Sequence, residues 1–213
     1  MNETSRKSVK THRLFLALPL PAAVRENVAA AQSQLQEHDW PVKWVDPNLV
    51  HITLKFLGDV EATRVPDLRT VLQDLAARHE PVTMTTGELG AFPASFRPRV
   101  FWLGLDGDAS PLVSLASDLD SALQPYGFAA EERPFQPHIT IGRLRRQQVP
   151  PAAFEQVAAA LDVPAVHVPF DRIQLVRSIL GNSGPDYTVF AEWKLGSLHA
   201  YDNAESVEVV EHG

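Results

Sequence analysis

Two apolar runs of this chain open on the same tripeptide: HITLKFLG from His51 and HITIGRLR from His138. Isoleucine, threonine and leucine suit a pleated, half-buried strand, but strand formation asks for no histidine at its head. The two copies stand close to half the ordered length apart, and each is followed by a helical pattern and then by further strands. That order predicts a duplicated unit of antiparallel strands with helices outside, and two lobes facing each other. The expected class is α+β: two antiparallel sheets with outer helices, related by a pseudo-two-fold axis around a central cleft. A doubly wound parallel sheet is disfavoured, since no glycine-rich phosphate loop is present.

Period-2 and β-branched runs predict eight strands: RLFLAL, VKWV, HITLKFLG, VTMTTGELG, RVFWLGL, HITIGRL, HVPFDRIQLVR and TVFAEWKL. GDV, FPASFRP and GNSGPDY read as turns between them. Leucines at helical spacing predict helices in PDLRTVLQDLAARH and SPLVSLASDLDSALQPYG, the latter with Ser110 as N-cap and Gly127 past its end. Two more are expected over residues 21–37 and in PPAAFEQVAAAL. Residues 1–12 and 200–213 lack apolar periodicity and are expected to be mobile, leaving 13–199 as a single bilobal domain. Basic residues ahead of LFLALPLPAA resemble a secretion signal in outline. The apolar part is short and broken by Pro19 and Pro21, so it reads as a first strand leading into a helix.

Composition narrows the function. No apolar run reaches the roughly 20 residues that span a bilayer. With no cysteine there is no thiol chemistry and no disulfide framework. A cytoplasmic, monomeric protein without a membrane partner is the default. A net charge of −7 argues against indiscriminate coating of nucleic acid, yet 133–146 carries Arg133, Arg143, Arg145 and Arg146 and no acid. A local cationic patch on an acidic body suits a small, focused anion.

In a strand, residues i and i+2 share a face, so His51 projects with Thr53 and His138 with Thr140, while Ile52 and Ile139 face a core. Two histidines that titrate near neutrality can serve as general base and general acid on opposite sides of a substrate. Threonine hydroxyls and an arginine can hold the non-bridging oxygens of a phosphoester between them. His12, His38, His79, His167, His199 and His212 lack a repeated context and read as surface or structural residues. A zinc site is the rival use of the pair, but no HExxH, cysteine or nearby acidic third ligand accompanies it, so no metal or cofactor is expected. Neither threonine is marked as an activated nucleophile.

The motifs, together with RLFLALPLP, HITLKFLGDV, FPASFRPRVFWLGL, PFQPHITIGRLRR and LVRSILGNSGPDYTVFAEWKL, resemble the 2H phosphoesterase superfamily over about residues 13–196. They are most similar to its RNA 2′,3′-cyclic phosphodiesterase (2′-5′ RNA ligase-like) branch. The resemblance implies metal-free opening of RNA 2′,3′-cyclic phosphate ends to 2′-phosphates, with His51 and His138 as the acid–base pair and Thr53 and Thr140 as phosphate donors. It also implies that His138 is the base and His51 the acid, a direction that no residue pattern here sets. Ligation by the same groups, or a non-catalytic module that binds RNA ends or nucleotides, are the alternatives. A cyclic phosphate needs a 2′-hydroxyl, so the partner is RNA or a ribonucleotide and not DNA. Phe56, Trp44 and Phe92 are candidates for stacking on a base.

Two positions conflict with strict alternation. Arg143 follows Thr140 by three and should face away from the cleft, whereas the resemblance places an arginine on the phosphate. Both hold only if the strand bulges or ends near Gly142. Lys55, at i+4 from His51, should share the histidine's face, either adding charge to the cleft or pairing with an acid.

Overall fold

The computed structural model describes residues 10–146, 148, 151, 153–181, 184–197 and 200–201. In chain order the elements are β1 (Thr11–Leu18), α1 (Ala22–Gln36), β2 (Val42–Trp44), β3 (Ile52–Glu61) and α2 (Val65–Ala76). There follow β4 (Val82–Phe92), β5 (Val100–Asp106), α3 (Ser110–Leu123), β6 (Ile139–Leu144) and α4 (Phe154–Ala160). The chain ends with β7 (His167–Phe170), β8 (Arg172–Gly181), β9 (Gly184–Lys194) and β10 (Ala200–Tyr201). They build two five-stranded sheets, β10-β9-β8-β1-β3 and β2-β6-β5-β4-β7, in which the pairings are antiparallel. The fold is α+β, and each sheet carries one HIT strand.

Helices cover one face of each sheet. α1 lies on the second sheet, where the Gln32 amide donates to the carbonyls of Val45 (2.7 Å) and Ile141 (2.8 Å). Asn27 does likewise to Pro164 O, at 2.7 Å. α4 seats Phe154 edge-on against Phe101 of β5, with ring centres 4.8 Å apart. α2 packs on β9 and α3 on β3, burying Leu68, Leu72 and Leu75 of one helix and Leu112, Leu115, Leu119 and Leu123 of the other. At about 1.5–3 kcal/mol per buried leucine, these stripes hold the helices to the sheets. Among the described residues no helix is long and apolar enough to cross a membrane.

Several boundaries differ from expectation for local reasons. HVPFDRIQLVR divides at Asp171: β7 pairs with β4 of the second sheet, β8 with β1 of the first. There the Arg172 guanidinium donates from Nε (2.8 Å) and Nη2 (3.0 Å) to the Asp171 carboxylate, and Asp171 O accepts from Leu195 N, which turns the chain. The lobes therefore interleave and are not sequential halves. GDV is not a turn, because β3 runs through it. Leu57 is an extra residue between the pairs Phe15–Phe56 and Leu14–Gly58, and Gly58 takes φ 68°, as a bulge glycine can. Ser110 is not the N-cap of α3 but its first residue, and its N–H donates to Asp108 Oδ1 at 2.9 Å. Gly127 does end that segment, at φ 79°.

Cross-strand pairing reaches into the two terminal stretches that lack apolar periodicity. Thr11 and His12 pair with Glu61 and Val60, and Ala200 and Tyr201 with Trp193 and Glu192. The rest of the expected mobile ends, 1–9 and 202–213, lies outside the described residues, as do His199 and His212. His12 packs edge-on to Phe190, His38 stacks on Trp40, and His79 Nε2 is 3.0 Å from Asp118 Oδ2, each a local structural contact.

Gly142 of β6 is the cross-strand partner of Trp44 of β2. A Cβ there would lie 2.8 Å from Val42 Cγ1 and 2.9 Å from the Trp44 ring. Gly142→Ala is expected to lower the unfolding free energy by about 1–3 kcal/mol in urea titrations, since neither neighbour is the loose end of a flexible chain.

Candidate active site

His51 and His138 each stand one residue ahead of their strand, and their local geometry is the same. His51 Nδ1 is 2.8 Å from Leu49 O, and His138 Nδ1 is 2.7 Å from Gln136 O. A carbonyl only accepts, so each Nδ1 carries a proton and donates it. Nε2 of each ring is thereby left as the position that exchanges protons with a ligand. Both rings lean on aromatics. His51 stacks on Phe15 of β1 at 4.8 Å and meets Tyr187 of β9 edge-on at 5.6 Å, and His138 meets Phe92 of β4 edge-on at 4.9 Å.

The strands bulge at corresponding places. In β3, Ala17 pairs with Thr53 and Leu16 with Lys55, leaving Leu54 as the extra residue. In β6, Trp102 pairs with Thr140 and Phe101 with Gly142, leaving Ile141 extra. Each HIT motif is thus followed by a residue that breaks the alternation of faces. The irregularity expected near Gly142 is present, and it returns Arg143 to the histidine side of the sheet. The Arg143 charge acts on His51, on His138 and on the Tyr187 phenol, so one cation of the second sheet reaches groups on both sheets.

The same bulge in β3 corrects the expectation for Lys55. It turns the side chain to the helix face, 3% exposed, where Nζ is 2.5 Å from Asp120 Oδ1 and 2.8 Å from Ala129 O. Glu131 lies 3.6 Å away. Lys55 therefore ties β3 to α3 and adds no charge to the cleft. Phe56, one residue on, comes to the histidine side beside Phe15 and is 64% exposed. Of the other aromatic candidates, Phe92 is a wall of the site, while Trp44 packs into the core against Phe101. Thr53 and Thr140 stay on the histidine side of their strands, before the bulges.

Burial and charge act together on the histidines. Desolvation is the main cause that pushes both pKa values below the ordinary 6.5, and the Arg143 charge lowers them further. The carbonyl bond at Nδ1 favours the imidazolium and opposes both effects. Burial pushes the Tyr187 phenol up, against the charges of Arg143 and Arg13.

Sequence reasoning missed Phe15 and Tyr187. Phe15 is hidden in LFLAL, where both faces of β1 are buried and periodicity vanishes. Tyr187 sits in a stretch that reads as a turn because of its Gly, Asn and Pro. A concavity of about 530 Å³ lies elsewhere, between α4 and β4. Glu88, Asp106, Glu155 and Asp162 line it, the wrong charge for a phosphate, so its size does not make it the site. Among the described residues no three His, Asp or Glu side chains converge as metal ligands.

Comparison with known proteins agrees with this geometry. The family model of the 2′-5′ RNA ligase superfamily matches residues 18–182. The RNA 2′,3′-cyclic phosphodiesterase of Thermotoga maritima is 31% identical over 89% of this chain and 99% of its own. That of Methanocaldococcus jannaschii is 32% identical over 85% and 99%. Among solved structures, TT0787 of Thermus thermophilus superposes with a TM-score of 0.70 at 30% identity, covering 88% of this chain and all of that one. Escherichia coli LigT complexed with 3′-AMP gives 0.66 at 29% identity, again over 88% of this chain and the whole of LigT. Sequence match, two-sheet architecture and paired HIT strands concur, and the chain belongs to the 2′-5′ RNA ligase superfamily, the 2H phosphoesterases.

Proposed function

We propose that this protein hydrolyses 2′,3′-cyclic phosphate ends of RNA to 2′-phosphates by two-histidine acid–base catalysis that needs no metal. The observation that carries the reading is the matched pair of histidines, one from each sheet, each with Nδ1 occupied by a carbonyl and Nε2 left to the ligand. The names of the relatives and the 3′-AMP complex of LigT support the substrate class.

In this reading Thr53, Thr140 and Arg143 hold the non-bridging oxygens, and Phe56 offers its exposed ring to the terminal base. His138 Nε2 takes a proton from water as its oxygen attacks phosphorus. The P–O3′ bond breaks, and His51, protonated at Nε2, gives its proton to the departing O3′. The products are a 2′-phosphomonoester and a free 3′-hydroxyl. His51 is left neutral and His138 protonated, and exchange with solvent resets the pair. The two directions of transfer follow the family resemblance, whereas the tautomers follow from the carbonyl contacts.

Incubation with a 2′,3′-cyclic mononucleotide in the presence of a chelator is expected to yield the 2′-phosphate. His51→Ala and His138→Ala should each lose roughly 10²- to 10⁴-fold in kcat, the usual worth of one general acid or base. Turnover that survives both changes, or that the chelator abolishes, would overturn the reading, and binding without turnover would favour a non-catalytic module.

The lowered histidine pKa values have a definite sign in the pH profile. The base must be neutral and the acid protonated, and both groups bind protons less readily than an ordinary imidazole. The bell in kcat/KM is therefore expected to peak below pH 6.5 and to fall as pH rises through neutrality. Arg143→Gln removes a charge that disfavours protonation, so both limbs should move to higher pH while kcat/KM falls about 10²-fold. A limb that stays in place would show that Arg143 does not act on the pair.

A further inference from the structure

Catalysis accounts for one phosphate, but an RNA chain has to leave the cleft over one of its walls. The wall formed by the first sheet is open beyond His51. β1 keeps a regular register with β8, so Arg13, Phe15 and Ala17 share the histidine face. Phe15 lies under His51, and Arg13, two residues further out, is exposed. A strand advances about 6.6 Å in two residues, so Arg13 lies that far along β1 from Phe15, the residue that touches His51. Around it the same face offers large uncovered apolar groups: Phe56 on β3 (64% exposed), Leu180 on β8 (67%) and Val189 on β9 (49%). The Tyr187 ring stands between this surface and His51, edge-on to both His51 and Phe15, and its phenol feels the Arg13 charge. With the Phe56 ring given to the terminal base, Leu180 and Val189 beside an exposed guanidinium offer the next nucleotide an apolar surface for its base and a cation for its phosphate.

Resting on the hydrolase reading above, we propose that this face is a track for the nucleotide 5′ to the cyclic end, with Arg13 holding the internucleotide phosphate. The protein is then an enzyme of oligonucleotide ends, and a free cyclic mononucleotide is its poorer substrate. Two carboxylates temper the cation. Asp59 is the cross-strand partner of Arg13, and Glu61 lies two residues beyond Asp59. One guanidinium against two carboxylates leaves the track with a net charge of −1, so a phosphate is read through Arg13 itself and not through a broad positive field. The arginines at the end of β6 offer the competing exit, over the second sheet, where Phe96 of the β4–β5 loop is also exposed (79%). Tyr187, in contact with His51 and within the field of Arg13, favours the first sheet.

The test compares kcat/KM on a tetranucleotide ending in a 2′,3′-cyclic phosphate with that on the cyclic mononucleotide. Wild type should prefer the tetranucleotide, with kcat/KM falling as salt rises. Arg13→Gln should lose about tenfold on the tetranucleotide through KM and less than twofold on the mononucleotide, which also reports that the variant is folded. Its salt dependence on the tetranucleotide should weaken by about one unit of logarithmic slope. Arg13→Lys should keep most of the preference, and Asp59→Asn should strengthen it. Equal losses on both substrates, no loss on either, or a tetranucleotide-specific loss in Arg145→Gln in place of Arg13→Gln would overturn the proposal. A wild type that turns over neither substrate would instead remove the hydrolase reading, and this track with it.

Discussion

The bulge that follows each HIT motif is the constraint on which the site depends. A regular strand would send Thr53 and Lys55 to one face, and Thr140 and Arg143 to opposite faces. The extra residues Leu54 and Ile141 reverse that assignment. Each places an apolar side chain on the helix side, where it is 6% and 0% exposed, respectively. The burial of those two residues holds the irregularity in place, because straightening either strand would expose it or force a cation into the core. Arg143 reaches the histidines and Lys55 is withdrawn from them for the same backbone reason.

Electrostatically the centre is unusual in what surrounds the histidines. Carbonyl oxygens, not carboxylates, orient both rings, so each tautomer is set without a negative charge that would repel a phosphate. Burial and Arg143 both favour neutral imidazole, and an incoming anion would favour the protonated form. The free site is thereby poised to take up a proton as its ligand binds. Lys55, which an alternating strand would add to the same centre, spends its charge on Asp120 and Glu131 behind the sheet. Arg143 is the cation that acts on both histidines and on Tyr187.

Duplication of the motif does not mean duplication in sequence halves. β2 leaves for the second sheet before β3 returns to the first, and β8 to β10 complete the sheet that β1 began. Each histidine is therefore packed by a distant segment: His51 by Phe15 and Tyr187, and His138 by Phe92. The paired rings are not equivalent, since a stacked contact and an edge contact hold one, and a single edge contact the other. The second copies of the motif residues differ as well. The position five after the histidine is Phe56 in one strand and Arg143 in the other, an apolar platform facing a charged donor.

Much of this was legible in the residues alone. The repeated His-x-Thr pairs, with apolar Ile between them, specify a catalytic face and a core face whatever the partner strands are, because side-chain alternation is local. The four helices and most strands follow from spacing for the same reason, and the conflict at Arg143 was enough to demand a bulge. What needed tertiary structure was everything set by register between distant strands. Lys55 could be placed only by knowing that Leu16 pairs with it and skips Leu54. Phe15 could be separated from its apolar neighbours only by seeing which face of β1 meets His51. Tyr187 joined the site because the β8–β9 hairpin carries it there, and Asp171 became a crossing point because two sheets compete for one apolar run. Local chemistry chose the groups; long-range pairing decided which of them meet.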